Sequence, residues 1–413
     1  MKPIGVAPGA GKRAAAALVF GAMMLVVTAC GPDHSNAGSG GDNGKSGGGS
    51  TSTGKPDTTV SKAVVDITPK DGTSNVPTTG TLKVSASGGK LSSVTVKTDK
   101  GTPVDGTISA DGLGWTPSDH LDTSTQYTVD AVAKDAAGRE SDKHSTFTTV
   151  VPKDTFVGFF TPEDGSTVGV GMEVYLKFNR PITDKKAVEK GLKVTASPSV
   201  PIAAHWNGDT QVYFRPQDYW AAGTKVTLDL NLNGVEGAPG VYGKQHKSVH
   251  FTVARRQISI VDAAKHTMTV YRDNKVLKTL PISSGSPQHT TYNGKMVISE
   301  KYIKTRMNGD TVGFGGEYDI PDVPHAMRLT NSGTFIHGNY WAASSVFGNS
   351  NTSHGCVGLH DVRGAGDPST PAAWFYNQSI IGDVVQVINS KDKTVQWWNG
   401  LNGWNLSWAD WTA

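Results

Sequence analysis

The chain has 413 residues, with 39 Lys and Arg set against 36 Asp and Glu, for a net charge of +3. So even a balance gives no support for nucleic-acid binding, which calls for a clustered basic face. At 37% hydrophobic residues the chain is long enough to fill the cores of two to four domains.

Lys2, Lys12 and Arg13 precede an apolar run over residues 14–29. That charge and length predict a signal peptide rather than a spanning helix, and hence an exported chain. Val27-Thr28-Ala29-Cys30 resembles a lipobox. It implies that residues 1–30 are a lipoprotein leader, and that Cys30 is lipidated and anchors the mature chain to the outer face of the cell membrane. Residues 31–60 are rich in Gly, Ser, Asp and Thr without apolar periodicity. They read as a flexible linker holding the next domain about 30 Å from its anchor.

Residues 61–151 carry short β-branched runs, such as Val64-Val65-Asp66-Ile67 and Val94-Thr95-Val96-Lys97, between Gly, Asp and Pro turns. This spacing predicts a β-sandwich of immunoglobulin type. Residues 152–254 repeat the scheme. Thr68-Pro69-Lys70-Asp71-Gly72 recurs as Thr161-Pro162-Glu163-Asp164-Gly165, Trp115-Thr116-Pro117 as Phe214-Arg215-Pro216, and Phe147-Thr148 as Phe251-Thr252. Three landmarks in one order imply a tandem duplication. Only the second unit has a helical turn, at Ala187 to Gly191. The scattered His120, His144, His205, His246 and His250 read as packing or surface residues, so spacing is the role expected of both units.

Residues 255–392 read as a further β-rich domain, with a hairpin turn at Asp273-Asn274 and one helix begun by Thr370-Pro371. Residues 302–322, rich in Gly, Asn and Asp, are expected to form a mobile flap over a cleft. Residues 393–413 hold Trp397, Trp398, Trp404, Trp408 and Trp411, half of the ten tryptophans. They read as a clasp packed on the preceding domains.

The chemistry concentrates in residues 334–360, where His337 is followed after fifteen residues by Ser353-His354-Gly355-Cys356. A thiol with a pKa near 8.5 is mostly protonated at neutral pH, so a neighbouring imidazole must lower that pKa or take the proton. Fifteen residues suffice to leave a strand and return with Cys356 beside His337. This assigns Cys356 as nucleophile and His337 as general base and acid. His354 and Gly355 are expected to orient the thiol and form the oxyanion site with the Cys356 amide. Asn339, Trp341, Asn351 and Ser353 are candidates for substrate contact. His360 and Asp361 read as the start of a solvated turn. His337, His354 and Cys356 could together hold zinc, but no fourth ligand is evident, so neither a metal nor a cofactor is expected.

A His, fifteen residues and Ser-His-Gly-Cys resemble the signature of the L,D-transpeptidases, and residues 257–285 resemble that family's opening hairpin. The resemblance implies a cysteine acyl-enzyme that forms 3-3 crosslinks between peptidoglycan stem peptides with release of terminal D-Ala. It also implies covalent inhibition by carbapenem-type β-lactams, and an actinobacterial lipoprotein architecture with two immunoglobulin-like domains ahead of the catalytic one. Within it Gly338 supplies the carbonyl that orients His337, and Tyr318 is a hydroxyl donor to the oxyanion. Gly358 stands where the family often has a substrate-contacting Asn, which leaves a non-catalytic wall-binding lipoprotein as one alternative; an L,D-carboxypeptidase is another, since water could replace the acceptor amine.

Overall fold

The strand Gln126–Lys134 shows how the first units fold. Tyr127, Val129, Ala131 and Ala133 alternate with more exposed residues, and all four are buried. In this computed structural model, which describes residues 59–413 apart from Phe314, such alternation builds a mainly β protein. The leader, Cys30 and the linker up to residue 58 lie outside the described residues. Among the described residues no helix is long and apolar enough to cross a membrane.

Two four-stranded sheets enclose a core of Val65, Val84, Trp115, Tyr127 and Phe147. Two more enclose Val174, Leu176, Phe214, Leu228 and Phe251. The repeated landmarks do the same work in each. Thr73 pairs in parallel with Phe147 as Ser166 does with Phe251. Asp71 Oδ1 accepts from the Thr146 amide at 2.7 Å, and Asp164 Oδ1 from the His250 amide at 2.8 Å. The helical turn forms at Lys185–Lys190, capped by Asp184.

Two further sheets carry the remaining core. One has five strands, with Gln257–Asp262 between Thr267–Arg272 and Val384–Ile388. Asp273 and Asn274 join its hairpin with φ of 50° and 67°, which Asp and Asn tolerate best among residues with a side chain. The other runs in the order Glu300–Asn308, Asp319–Arg328, Phe335–Asn339, Val357–His360, and its last pair is parallel. The helix forms at Pro371–Gln378, where Thr370 Oγ1 accepts from the Ala373 amide at 3.2 Å. Much of the segment expected as a flap, residues 302–322, is paired strand: it forms the end of an antiparallel hairpin, Glu300–Asn308 with Asp319–Arg328, and only residues 309–318 connect the two.

The tryptophan tail packs on the second sandwich. Trp404 and Trp411 are buried in its core, where Trp404 Nε1 donates to the Gly171 carbonyl at 2.7 Å and Trp411 Nε1 to Ala203 at 3.0 Å. The buried Arg215 guanidinium lies 4.3 Å from the Trp411 ring centroid and 5.0 Å from that of Trp404. Glu173 is fully buried beside them, and the amides of Gly403 and Trp404 face its carboxyl outside hydrogen-bond geometry. Burial raises its pKa from 4.5 to about 8, against the pull of Arg215. The folded state therefore holds a proton that the unfolded chain releases near pH 4.5, so this group's stabilising effect declines as pH rises towards 8. Glu173→Gln should remove that decline. By calorimetry, its melting midpoint should gain on the parent chain steadily between pH 5 and 8, and a constant gap would contradict this.

Candidate active site

All five residues of Phe335–Asn339 are buried, and the chain returns through residues 340–356 to lay Val357–His360 parallel beside them. In that register His337 is level with Gly358. Cys356 stands two residues before Gly358, so on an extended backbone it shares that residue's face. The thiol and the imidazole thus project from the same side of the sheet on adjacent strands, with a glycine opposite the imidazole. Both line a cavity of about 340 Å³. The hairpin adds Met307, Tyr318 and Ile320 to its wall, and the motif segment adds Asn339, Trp341, Ser353 and His354. A larger hollow of about 550 Å³ lies between the sandwiches, but its His120 is already engaged by Asp119 and the Asn233 carbonyl.

His337 Nδ1 is 2.9 Å from the Gly338 carbonyl. That nitrogen therefore carries the proton and donates it, which leaves Nε2 as the basic atom. The indole of Trp341 stacks on the ring at 5.7 Å and 17°. Burial holds the His337 pKa below its usual 6.5, only partly offset by the Gly338 hydrogen bond and the charge of Asp361. Burial also pushes the Cys356 thiol up to about 11, against the Phe335 backbone and Arg328. Its Sγ lies 3.6 Å from the Gly333 carbonyl. Of the two routes open to the imidazole, the structure favours proton removal during attack over a standing thiolate. A buried ion pair would have to recover the desolvation of both partners.

Asp361 does not begin a solvated turn. It is 2% exposed, accepts from His325 Nδ1 at 2.7 Å and from Thr370 Oγ1 at 3.0 Å, and packs against the Cα of Gly338. A Cβ at Gly338 would sit 2.0 Å from Asp361 Oδ2, so this buried pair requires glycine after the catalytic histidine. Sequence reasoning missed both residues. Asp361 lies beyond the motif, and His325 sits in an unremarkable strand 36 residues away.

The other predicted residues divide. Ser353 Oγ donates to the Cys356 carbonyl at 2.6 Å and accepts from the Gly355 amide at 3.2 Å. The serine therefore shapes the turn, and it occupies one of the two amides expected at the oxyanion. Gly355 has φ 102°, the left-handed region that the turn demands. His354 lines the cavity, and its Nε2 lies 2.9 Å from Glu317 Oε2. Asn351 is not a substrate contact. Its side chain accepts from the Ser284 amide and His266 and donates to the Ala263 carbonyl, tying the loop to the five-stranded sheet outside the cavity.

Tyr318 lines the cavity, and burial, Cys356 and Glu317 together raise its hydroxyl to about 12, so it stays a donor. Gly358 lies against Asn339, whose Nδ2 is 3.6 Å from the position a Cβ would take. Asn339 Oδ1 accepts from the amides of Trp341 and Ala342, which turns its amide nitrogen towards Gly358. The side-chain amide missing at Gly358 is thus present from the neighbouring strand.

Residues 256–387 match the family model described as L,D-transpeptidase catalytic domain, and residues 73–236 match bacterial Ig domain. The chain is 32% identical over 425 residues to L,D-transpeptidase 2 of Mycobacterium tuberculosis (strain CDC 1551 / Oshkosh), covering all of this chain and 99% of that protein. It is 31% identical over 352 residues to L,D-transpeptidase 5 of M. tuberculosis H37Rv, covering 84% of this chain and 75% of that one. Among solved structures, L,D-transpeptidase 3 from M. tuberculosis in complex with a faropenem-derived adduct aligns at TM-score 0.45 and 26% identity, covering 55% of this chain and 96% of that one.

Proposed function

Because the chain belongs to the L,D-transpeptidase family and is therefore a transpeptidase, we propose that it forms 3-3 crosslinks between peptidoglycan stem peptides through a thioester on Cys356. The observation that carries this is the parallel strand pair. It puts the thiol and an imidazole with a committed Nδ1 on one face and in one cavity.

The carbonyl preceding the terminal D-Ala of a donor tetrapeptide enters beside Cys356. As the S–C bond forms, His337 Nε2 takes the thiol proton. It passes that proton to the departing D-Ala nitrogen as the C–N bond breaks. The Cys356 amide and the Tyr318 hydroxyl face the developing oxyanion, as preorganised donors aimed at the charge that forms there. The amine of a diamino acid on a neighbouring stem then attacks the thioester. His337 removes the amine's proton and returns one to sulfur. A β-lactam carbonyl offered to the same thiol should acylate it likewise.

Mass spectrometry of the full-length chain incubated with tetrapeptide stems tests the reading. Crosslinked dimers with loss of D-Ala support it. D-Ala release without dimers would make the chain a carboxypeptidase, and no turnover would leave a wall-binding lipoprotein.

Asn339 supplies the substrate-contacting amide that Gly358 lacks. One lost hydrogen bond of about 1–1.5 kcal/mol corresponds to roughly tenfold. Steady-state kinetics of Asn339→Ala should show this as a higher KM, and an unchanged KM would remove Asn339 from the site. The leader and lipobox further support anchoring at the outer face of the membrane through lipidated Cys30, with the sandwiches spacing the active site into the wall. Cell fractionation should find Cys30→Ala in the soluble fraction. Retention with the membrane would contradict this anchor.

A further inference from the structure

Beside the Cys356 cavity, three side chains that the reaction does not use as a set converge from separate parts of the chain. His289 comes from the connection between Lys275–Pro281 and Gly294–Val297, Glu317 from the tip of the hairpin, and His354 from the turn that presents Cys356. One ligand atom from each lies within 4.8 Å of the other two. Glu317 Oε2 is 2.9 Å from His354 Nε2 and 3.4 Å from His289 Nε2. The two imidazoles stack at 4.8 Å and 26°, so both rings bring Nε2 to one carboxylate.

Two imidazoles and one carboxylate make up a donor set that borderline divalent ions prefer. Bonds of about 2.0–2.1 Å in a tetrahedron place ligand atoms about 3.3–3.4 Å apart. The observed distances bracket that edge, so modest side-chain rotation closes the set around an ion. The three side chains keep 30%, 47% and 34% of their surface open. An ion can therefore enter from solution and keep water in its fourth position.

We propose that His289, Glu317 and His354 bind a divalent ion of the Zn²⁺ class, which fastens the hairpin carrying Tyr318 to the turn carrying Cys356. Bound there, the ion holds the roof of the cavity closed and slows acylation. The site is distinct from His337 and Cys356, and its metal affinity does not depend on the transpeptidase reading.

Calorimetric titration of the chelator-treated full-length chain with Zn²⁺ tests the binding. One equivalent should bind. Loss of even an outer-sphere partner costs about 10- to 100-fold in metal affinity, so His289→Ala and Glu317→Gln should each weaken binding by about tenfold or more. Cys356→Ala should leave it unchanged. Co²⁺ in the same site should show d–d absorption without a thiolate-to-metal charge-transfer band. Absence of saturable binding would overturn the proposal. So would binding that survives His289→Ala but vanishes with Cys356→Ala, which would place the ion on the catalytic thiol. For the fastening, Zn²⁺ should slow β-lactam acylation of the parent chain and not of Glu317→Gln. Equal slowing in both would refute it.

Discussion

Cys356→Ala should reduce tetrapeptide turnover by more than about 10⁴-fold, and His337→Ala by about 10²- to 10⁴-fold, with melting behaviour close to the parent chain in both. The thiol has no substitute, since Cys356 is the free cysteine of the described residues and the one thiol lining the cavity. The histidine effect is smaller because water can accept the proton poorly. Both groups rest neutral, so acylation should follow the basic form of His337. The rate should rise with pH through a value below 6.5 and then stay level towards about 11, where the thiol itself ionises. A pH–rate profile that instead rises through the usual cysteine range near 8.5 would show that the thiolate forms before attack.

The second large effect is expected from a single methyl group. In Gly338→Ala the new Cβ would stand 2.0 Å from Asp361 Oδ2, 2.7 Å from its Cβ and 2.7 Å from its Cγ. Asp361 cannot give way cheaply, because His325, Thr370 and the Val362 amide all hold it. The strand must therefore shift, and with it the carbonyl that fixes His337 Nδ1. Overpacking of this kind costs about 1–3 kcal/mol. A displacement near 1 Å at a catalytic group costs about 10²-fold in rate. Kinetics should show a fall in kcat with little change in KM, and chemical denaturation should show the loss of stability. Asp361→Ala placed on top of Gly338→Ala should recover part of that stability, because the two residues share one space. Additive losses would mean that the clash is not the cause.

What the sequence made legible was local. The strands at Val64 to Ile67 and Val94 to Lys97, the Asp273-Asn274 turn and the Thr370-Pro371 helix start each rest on a few neighbouring residues, and each formed as read. The spacing from His337 to Cys356 was legible for the same reason, since one crossover joins two adjacent strands. Residues whose role depends on distant partners were not. Asp361 looked like a surface carboxylate because nothing nearby in the chain announces His325. Asn351 looked like a substrate contact because its partners Ser284, His266 and Ala263 lie 67 to 88 residues earlier. His289 and Glu317 carried no local signal, since their meeting with His354 is created by the fold of three separate segments. Glu173 carried no local signal either, since the tryptophan tail that closes over it comes from the far end of the sequence.

Intact-mass measurement of the full-length chain, quenched in acid during turnover of a tetrapeptide donor, reaches the central claim most directly. The account predicts a mass increase equal to the donor less D-Ala, mapped by peptide digestion to Cys356, and its disappearance when an acceptor amine is supplied. Crosslinked product formed at full rate with no acyl group on Cys356 would contradict it.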